Sequence, residues 1–150
     1  METAALPVPW YLDATMTIPA GATLELAAGL LLKVDLYTSI NVSGGTLNTH
    51  GAAGQPVLIT SIRDDAAGGD TNADGTATSP ARGNWARLYY ASGGTGALDG
   101  LELRYAGYGG NIAVTCDSGA PSRLAGFWSC CSSNINGPGP GDERTPELAR

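Results

Sequence analysis

The segment richest in metal-ligating side chains is Asp70-Thr71-Asn72-Ala73-Asp74-Gly75. Side-chain oxygens at alternate positions, followed by a glycine for a sharp turn, match the first half of an EF-hand-type calcium loop. Calcium is a hard cation that takes several oxygen ligands, and a D-x-N-x-D-G turn wraps three side chains round one ion. The second half of that loop is not matched. Ala81 stands where a bidentate Glu is expected, and no Glu lies between positions 51 and 101. Asp64 and Asp65 supply carboxylates if the segment folds back on itself. The expected ligand set is therefore Asp70, Asn72 and Asp74 with Asp64 and Asp65, and calcium is expected to order the segment rather than catalyse. The competing reading is that these residues make Asx-turns in an exposed loop.

The other reactive residues form no catalytic set. Arg87 and Arg104 alternate with strand residues and are expected to point outward as solvated charges. Glu102 and Asp99 flank one turn, with nothing to pair them as the two convergent carboxylates of a glycosidase. His50 is the only histidine, next to Gly51, and reads as a surface turn residue; no Ser or Cys stands near it for a triad. No phosphate-binding glycine loop is present. Trp85, Tyr89, Tyr90, Tyr105 and Tyr108 crowd into a short stretch. Trp85 and Tyr90 are expected in a core. Tyr89, Tyr105 and Tyr108 are candidates for an outward platform that holds sugar rings. Cys116, Cys130 and Cys131 are read as incidental thiols; a Cys116–Cys130 disulfide is conceivable, and no histidine completes a metal spacing.

The elements that position these residues follow from alternation. Met16/Ile18, Leu24/Leu26, Leu30/Leu32/Val34, Ile40/Val42, Val57/Ile59, Leu88/Tyr90, Leu101/Leu103 and Ile112/Val114 are apolar pairs two positions apart, with polar residues between. Period two is the signature of strands, and each run is short and bounded by Gly, Pro, Asn or Ser. With 22 Gly and 9 Pro and only 15% charged residues, the composition also disfavours helices. The pairs recur: Ile18 to Ile40 is 22 positions, Leu26 to Leu47 is 21 and Leu32 to Val57 is 25. A period in the low twenties marks a solenoid. Three short strands per coil, stacked in parallel on the next coil, predict Ile18 over Ile40 and Leu32 over Val57. A β-sandwich would leave both the spacing and the lack of hairpin dipeptides unexplained.

The predicted organisation is a lead-in over 1–13, then coils over 14–114 at about 14–37, 38–62 and 84–110, with a fourth begun at 111. A polar insertion spans 63–83, and insertions in solenoids map to loops that often bind. After about residue 115 alternation ceases, and 115–150 is expected to be irregular or disordered. A truncation, a fragment boundary or a frame error would each account for such a tail. The fold class expected is thus all-β, a right-handed parallel β-helix of about three coils with an irregular C-terminal tail.

A formal net charge of -6 without any Lys/Arg cluster opposes nucleic-acid binding. No apolar run is long enough for a membrane-spanning helix, since Leu30-Leu31-Leu32 is stopped by Lys33. Met1-Glu2-Thr3-Ala4-Ala5 does not open a signal peptide. Either the protein stays in the cytoplasm or the chain is an internal piece of a larger exported protein, and the repeats favour the second expectation.

Several phrases, taken in order, carry a resemblance. Ile18-Pro19-Ala20-Gly21-Ala22-Thr23-Leu24-Glu25-Leu26-Ala27-Ala28-Gly29 looks like an opening coil, and Val42-Ser43-Gly44-Gly45-Thr46-Leu47-Asn48 like the next. Gln55-Pro56-Val57-Leu58-Ile59-Thr60-Ser61 precedes Gly69-Asp70-Thr71-Asn72-Ala73-Asp74-Gly75, then Gly83-Asn84-Trp85 and Leu103-Arg104-Tyr105-Ala106-Gly107. Over about residues 10–114 the chain resembles bacterial right-handed parallel β-helix repeat proteins of the pectate-lyase-like superfamily. The resemblance implies an extracellular or cell-surface location, with a polysaccharide or cell-surface glycan as partner. It leaves two functions in play: a non-catalytic structural or adhesive module, which is favoured here, or a fragment of a polysaccharide lyase or glycoside hydrolase. Members of the family have more coils than this chain.

Overall fold

The computed structural model describes residues 8–117, together with the strand backbones at Arg123–Ala125 and Trp128–Ser129. Each alternating run becomes a strand, in threes. The first coil's strands are β2 (Met16–Pro19), β3 (Thr23–Leu26) and β4 (Leu31–Val34), preceded by β1 (Trp10–Leu12). Then come β5 (Ile40–Ser43), β6 (Thr46–His50) and β7 (Val57–Ser61), followed after the insertion by β8 (Leu88–Tyr90), β9 (Thr95–Asp99) and β10 (Leu101–Leu103). A last round comprises β11 (Val114–Cys116), β12 (Arg123–Ala125) and β13 (Trp128–Ser129).

Every third strand pairs in parallel, giving three sheets in the orders β1-β4-β7-β10-β13, β11-β8-β5-β2 and β12-β9-β6-β3. This is a three-sheet parallel β-helix of three to four coils. Among the described residues no helix is long and apolar enough to cross a membrane.

The core is the stack of inward side chains. Met16, Ile40, Leu88 and Val114 form one column of register partners, and Ile18, Val42 and Tyr90 the next. Leu32, Ile59 and Leu103 stack in the first sheet. Val42, Val57, Ile59, Leu88 and Tyr90 are wholly buried, and each such aliphatic side chain contributes roughly 1.5–3 kcal/mol by leaving water. Trp85 and Tyr90 lie in this core as expected. Glycine permits close stacking: a Cβ on Gly51 would lie 2.0 Å from the Gly100 carbonyl oxygen in the coil above.

Two expectations are corrected. The rungs are Ile18 over Val42 and Leu32 over Ile59, not Ile18 over Ile40 and Leu32 over Val57. Unequal turns displace the register by two residues, and a slip of two keeps the same face inward, so the alternation alone is blind to it. The pattern also does not stop at 115, because β11 to β13 carry all three sheets onward. β12 and β13, RLA and WS, carry no pair of apolar residues two positions apart, so alternation does not announce them. The rest of the expected tail lies outside the described residues, as do Cys130 and Cys131.

Candidate functional site

The insertion leaves and rejoins the helix at one corner, between β7 in the first sheet and β8 in the second. Its base is closed by Asn84, whose Oδ1 accepts the Ser61 hydroxyl at 3.0 Å and the Ala81 N–H at 2.9 Å. Trp85 follows, wholly buried, donating from Nε1 to the Arg104 carbonyl at 2.7 Å. These contacts return the chain so that Leu88 still registers with Ile40.

From that base the loop folds back over the outer face of the first sheet. Asp64 turns inward, only 1% exposed, accepting the Thr60 hydroxyl at 2.7 Å. Arg104 Nη1 lies 3.8 Å from its Oδ2. Its neighbour Asp65 instead joins Asp70 and Asp74, and oxygens of these three carboxylates lie within 4.8 Å of one another. Such a group can hold a metal ion.

Within it, Asp70 shapes the backbone, its two oxygens accepting from Asp74 N–H at 3.1 Å and Gly75 N–H at 2.8 Å. Asp74 Oδ2 accepts the Thr78 hydroxyl and, at 2.7 Å, the Asn72 amide. The Thr78 hydrogen bond is the main reason the Asp74 carboxyl sits below the usual carboxylate range. It is thus ionised at neutral pH, as a ligand must be. Asp65 Oδ1, Asn72 Oδ1 and Asp74 Oδ1 are shielded from solvent and accept no hydrogen bond among the described residues. Shielded oxygens without donors fit a cation, since leaving them bare costs about 1–3 kcal/mol each. Of the residues singled out from sequence, Asp65, Asp70 and Asp74 are brought together, Asn72 is beside them, and Asp64 is engaged with Thr60 and Arg104.

Beside this group is a cleft of about 430 Å³ between loop and coil, lined among others by Tyr11, Asp35, Arg63, Asn72 and Asp74. Tyr11 donates its hydroxyl to Asp35 Oδ2 at 2.6 Å. That hydrogen bond, then burial and the Asp35 charge, push the phenol up from 10.0 to about 12.

The aromatic residues are arranged differently from the expected platform. Tyr89 lies under Arg87, whose guanidinium carbon is 4.4 Å from the ring centroid, and its hydroxyl reaches Asp117 at 3.3 Å. Tyr105 is half-buried with a left-handed backbone, φ 62°. The exposed ring of Tyr108 instead packs on exposed Tyr37, with centroids 4.3 Å apart and planes tilted by 56°. Tyr37 was invisible to the sequence argument because it lies in a turn with φ 64°, where glycine or asparagine is usual.

Among the remaining residues, Arg104 is paired with Glu102 through Nε at 2.7 Å as well as with Asp64. His50 ends β6 and meets Glu25 at 2.5 Å on the outer face. Cys116 is exposed and forms no disulfide among the described residues.

The fold and site together define a parallel β-helix carrying an acid-rich corner insertion. Comparisons with protein-family models, with curated proteins and with solved structures found no match to this chain.

Proposed function

We propose that the chain is a non-catalytic structural or adhesive β-helix module of a secreted or surface-displayed bacterial protein, with calcium clamping its corner insertion. The grouping of Asp65, Asp70 and Asp74, with shielded donor-free oxygens on Asp65, Asn72 and Asp74, carries this reading. The donor set is all oxygen, which suits calcium rather than zinc or copper. Location outside the cell rests on the resemblance to pectate-lyase-like repeat proteins, and millimolar calcium there would suit a site without the bidentate Glu. Thermal melts followed by far-UV circular dichroism, in calcium and in excess EDTA, test it. A transition that moves up with calcium in the parent protein, and not in Asp65→Asn/Asp74→Asn, supports the clamp; a transition indifferent to EDTA removes it.

A glycan remains the partner proposed, and the exposed Tyr37–Tyr108 pair is the observation that supports it. Aromatic faces hold sugar rings through apolar contact. Affinity electrophoresis in polysaccharide gels, with Tyr37→Ala/Tyr108→Ala as control, checks this: equal mobility in every gel would leave the pair without a ligand. The alternative, a fragment of a polysaccharide lyase or glycoside hydrolase, draws on the cleft, where Arg63 stands with Asp35 and Asp74. Asp74, held low, is unsuited to act as a general acid.

A further inference from the structure

Lys33 belongs to the outer face of β4, between Leu32 and Val34 that point into the core. Alternation alone would put its ammonium in water. It is instead wholly buried, because the insertion lies across it. Its Nζ donates to the carbonyl of Gly69 at 2.5 Å, one residue before the Asp70 of the acid group. The neighbouring loop residue rests on the same strand: a Cβ on Gly68 would lie 2.6 Å from Leu31 Cδ2. Two consecutive loop residues thus sit on two outward residues of β4, one contact apolar and one a hydrogen bond from an ammonium to a carbonyl.

A buried ammonium is costly unless charges and acceptors surround it. Here burial lowers the Lys33 pKa, while the carboxylates of Asp65, Asp64 and Asp70 act against that fall. Asp64 has Arg104 for a partner. Asp65, Asp70 and Asp74 bring three carboxylates together in the loop, and Lys33 is a cation held against that segment through the Gly69 carbonyl.

We propose that Lys33 is a resident counter-cation that docks the insertion on the first sheet without metal, so that a divalent ion clamps a loop already seated. This rests on the calcium reading only for its second half. The ammonium draws Gly69 and its acidic neighbours onto β4, and the loop's attachment is thereby independent of calcium supply. Loss of Lys33 makes the attachment metal-dependent.

Hydrogen-exchange mass spectrometry of peptides covering 63–83 tests this on the full chain, in EDTA and in calcium. In EDTA the parent loop is expected to exchange slowly, and Lys33→Met about tenfold faster or more. Calcium is expected to slow exchange in Lys33→Met more than in the parent. Peptides covering 40–50 report the coils, and unchanged protection there shows that Lys33→Met still folds. Lys33→Arg keeps the charge and is expected to retain most of the loop's protection even if Lys33→Met perturbs the coils. Equal loop exchange in Lys33→Met and parent in EDTA overturns the proposal, as does Lys33→Arg exchanging as fast as Lys33→Met. Faster exchange in Lys33→Met with no response to calcium in either protein supports the docking role and sinks the calcium reading alone.

Discussion

Asp64 Oδ2 lies 3.8 Å from Arg104 Nη1, an ion pair between the base of the insertion and the edge of β10. With the Thr60 hydroxyl also donating to it, Asp64 is part of the scaffold, while Asp65, the next residue, faces the acid group. Two adjacent aspartates thus serve different ends, and substitution separates them.

Asp64→Ala strands the Thr60 hydroxyl and removes a charge partner of Arg104 inside the protein. A loss of about 1–3 kcal/mol is expected, read as a lower melting temperature in calcium and in EDTA alike. Asp65→Asn keeps the Thr60 and Arg104 contacts of Asp64, so it is expected to melt above Asp64→Ala in EDTA and to lose the calcium-dependent increment. If Asp65→Asn melts as low as Asp64→Ala in EDTA, the division of labour is wrong.

Tyr11 offers a spectroscopic handle. Its neutral phenol donates to Asp35, so its folded pKa is raised from 10.0 to about 12. A raised pKa means that the stabilisation is fully present below pH 10 and is lost as pH rises through 12. Ultraviolet titration of the tyrosinates should show Tyr11 ionising late, and Asp35→Asn should return it toward 10. A titration unchanged by Asp35→Asn would show that the hydrogen bond does not hold the proton.

Tyr90 is wholly buried, and its hydroxyl has no hydrogen-bond partner among the described residues. Burial pushes its pKa well up. Tyr90→Phe deletes that hydroxyl without altering the ring, and is expected to be neutral or to stabilise by up to about 1 kcal/mol. A clear loss of stability in a denaturant melt would reveal a partner for the hydroxyl.

Much of this architecture was legible in sequence because a strand's period of two is carried by its own residues. Ile40/Val42 and Leu88/Tyr90 announce their faces without reference to any neighbour. Register is a different quantity. It depends on turn lengths, and Ile18 came to lie over Val42 rather than Ile40 through a shift that period two cannot detect. The acidic ligands were legible because D-x-N-x-D-G is local. Lys33 and Tyr37 were not: the first is buried by a loop distant in sequence, the second is exposed by a backbone angle that its residue type does not advertise.

Glycine positions separate crowding from backbone strain. Gly51→Ala would drive a methyl into the Gly100 backbone, and a loss of about 1–3 kcal/mol is expected from that collision. Gly54, with φ 74° and open space around it, should lose only about 1 kcal/mol as alanine, from the backbone angle alone. Denaturant melts of the two variants should rank them in that order; the reverse would mean that the coils separate easily at Gly51.

The Asn84 staple has a consequence for how this molecule can change. Because Ser61 and Asn84 close the insertion at its neck and β8 resumes register with β5, the ladders take no account of what hangs between them. The corner is a socket. A graft there that keeps Asp64 and a cover for Lys33 is expected to leave the ladders in register.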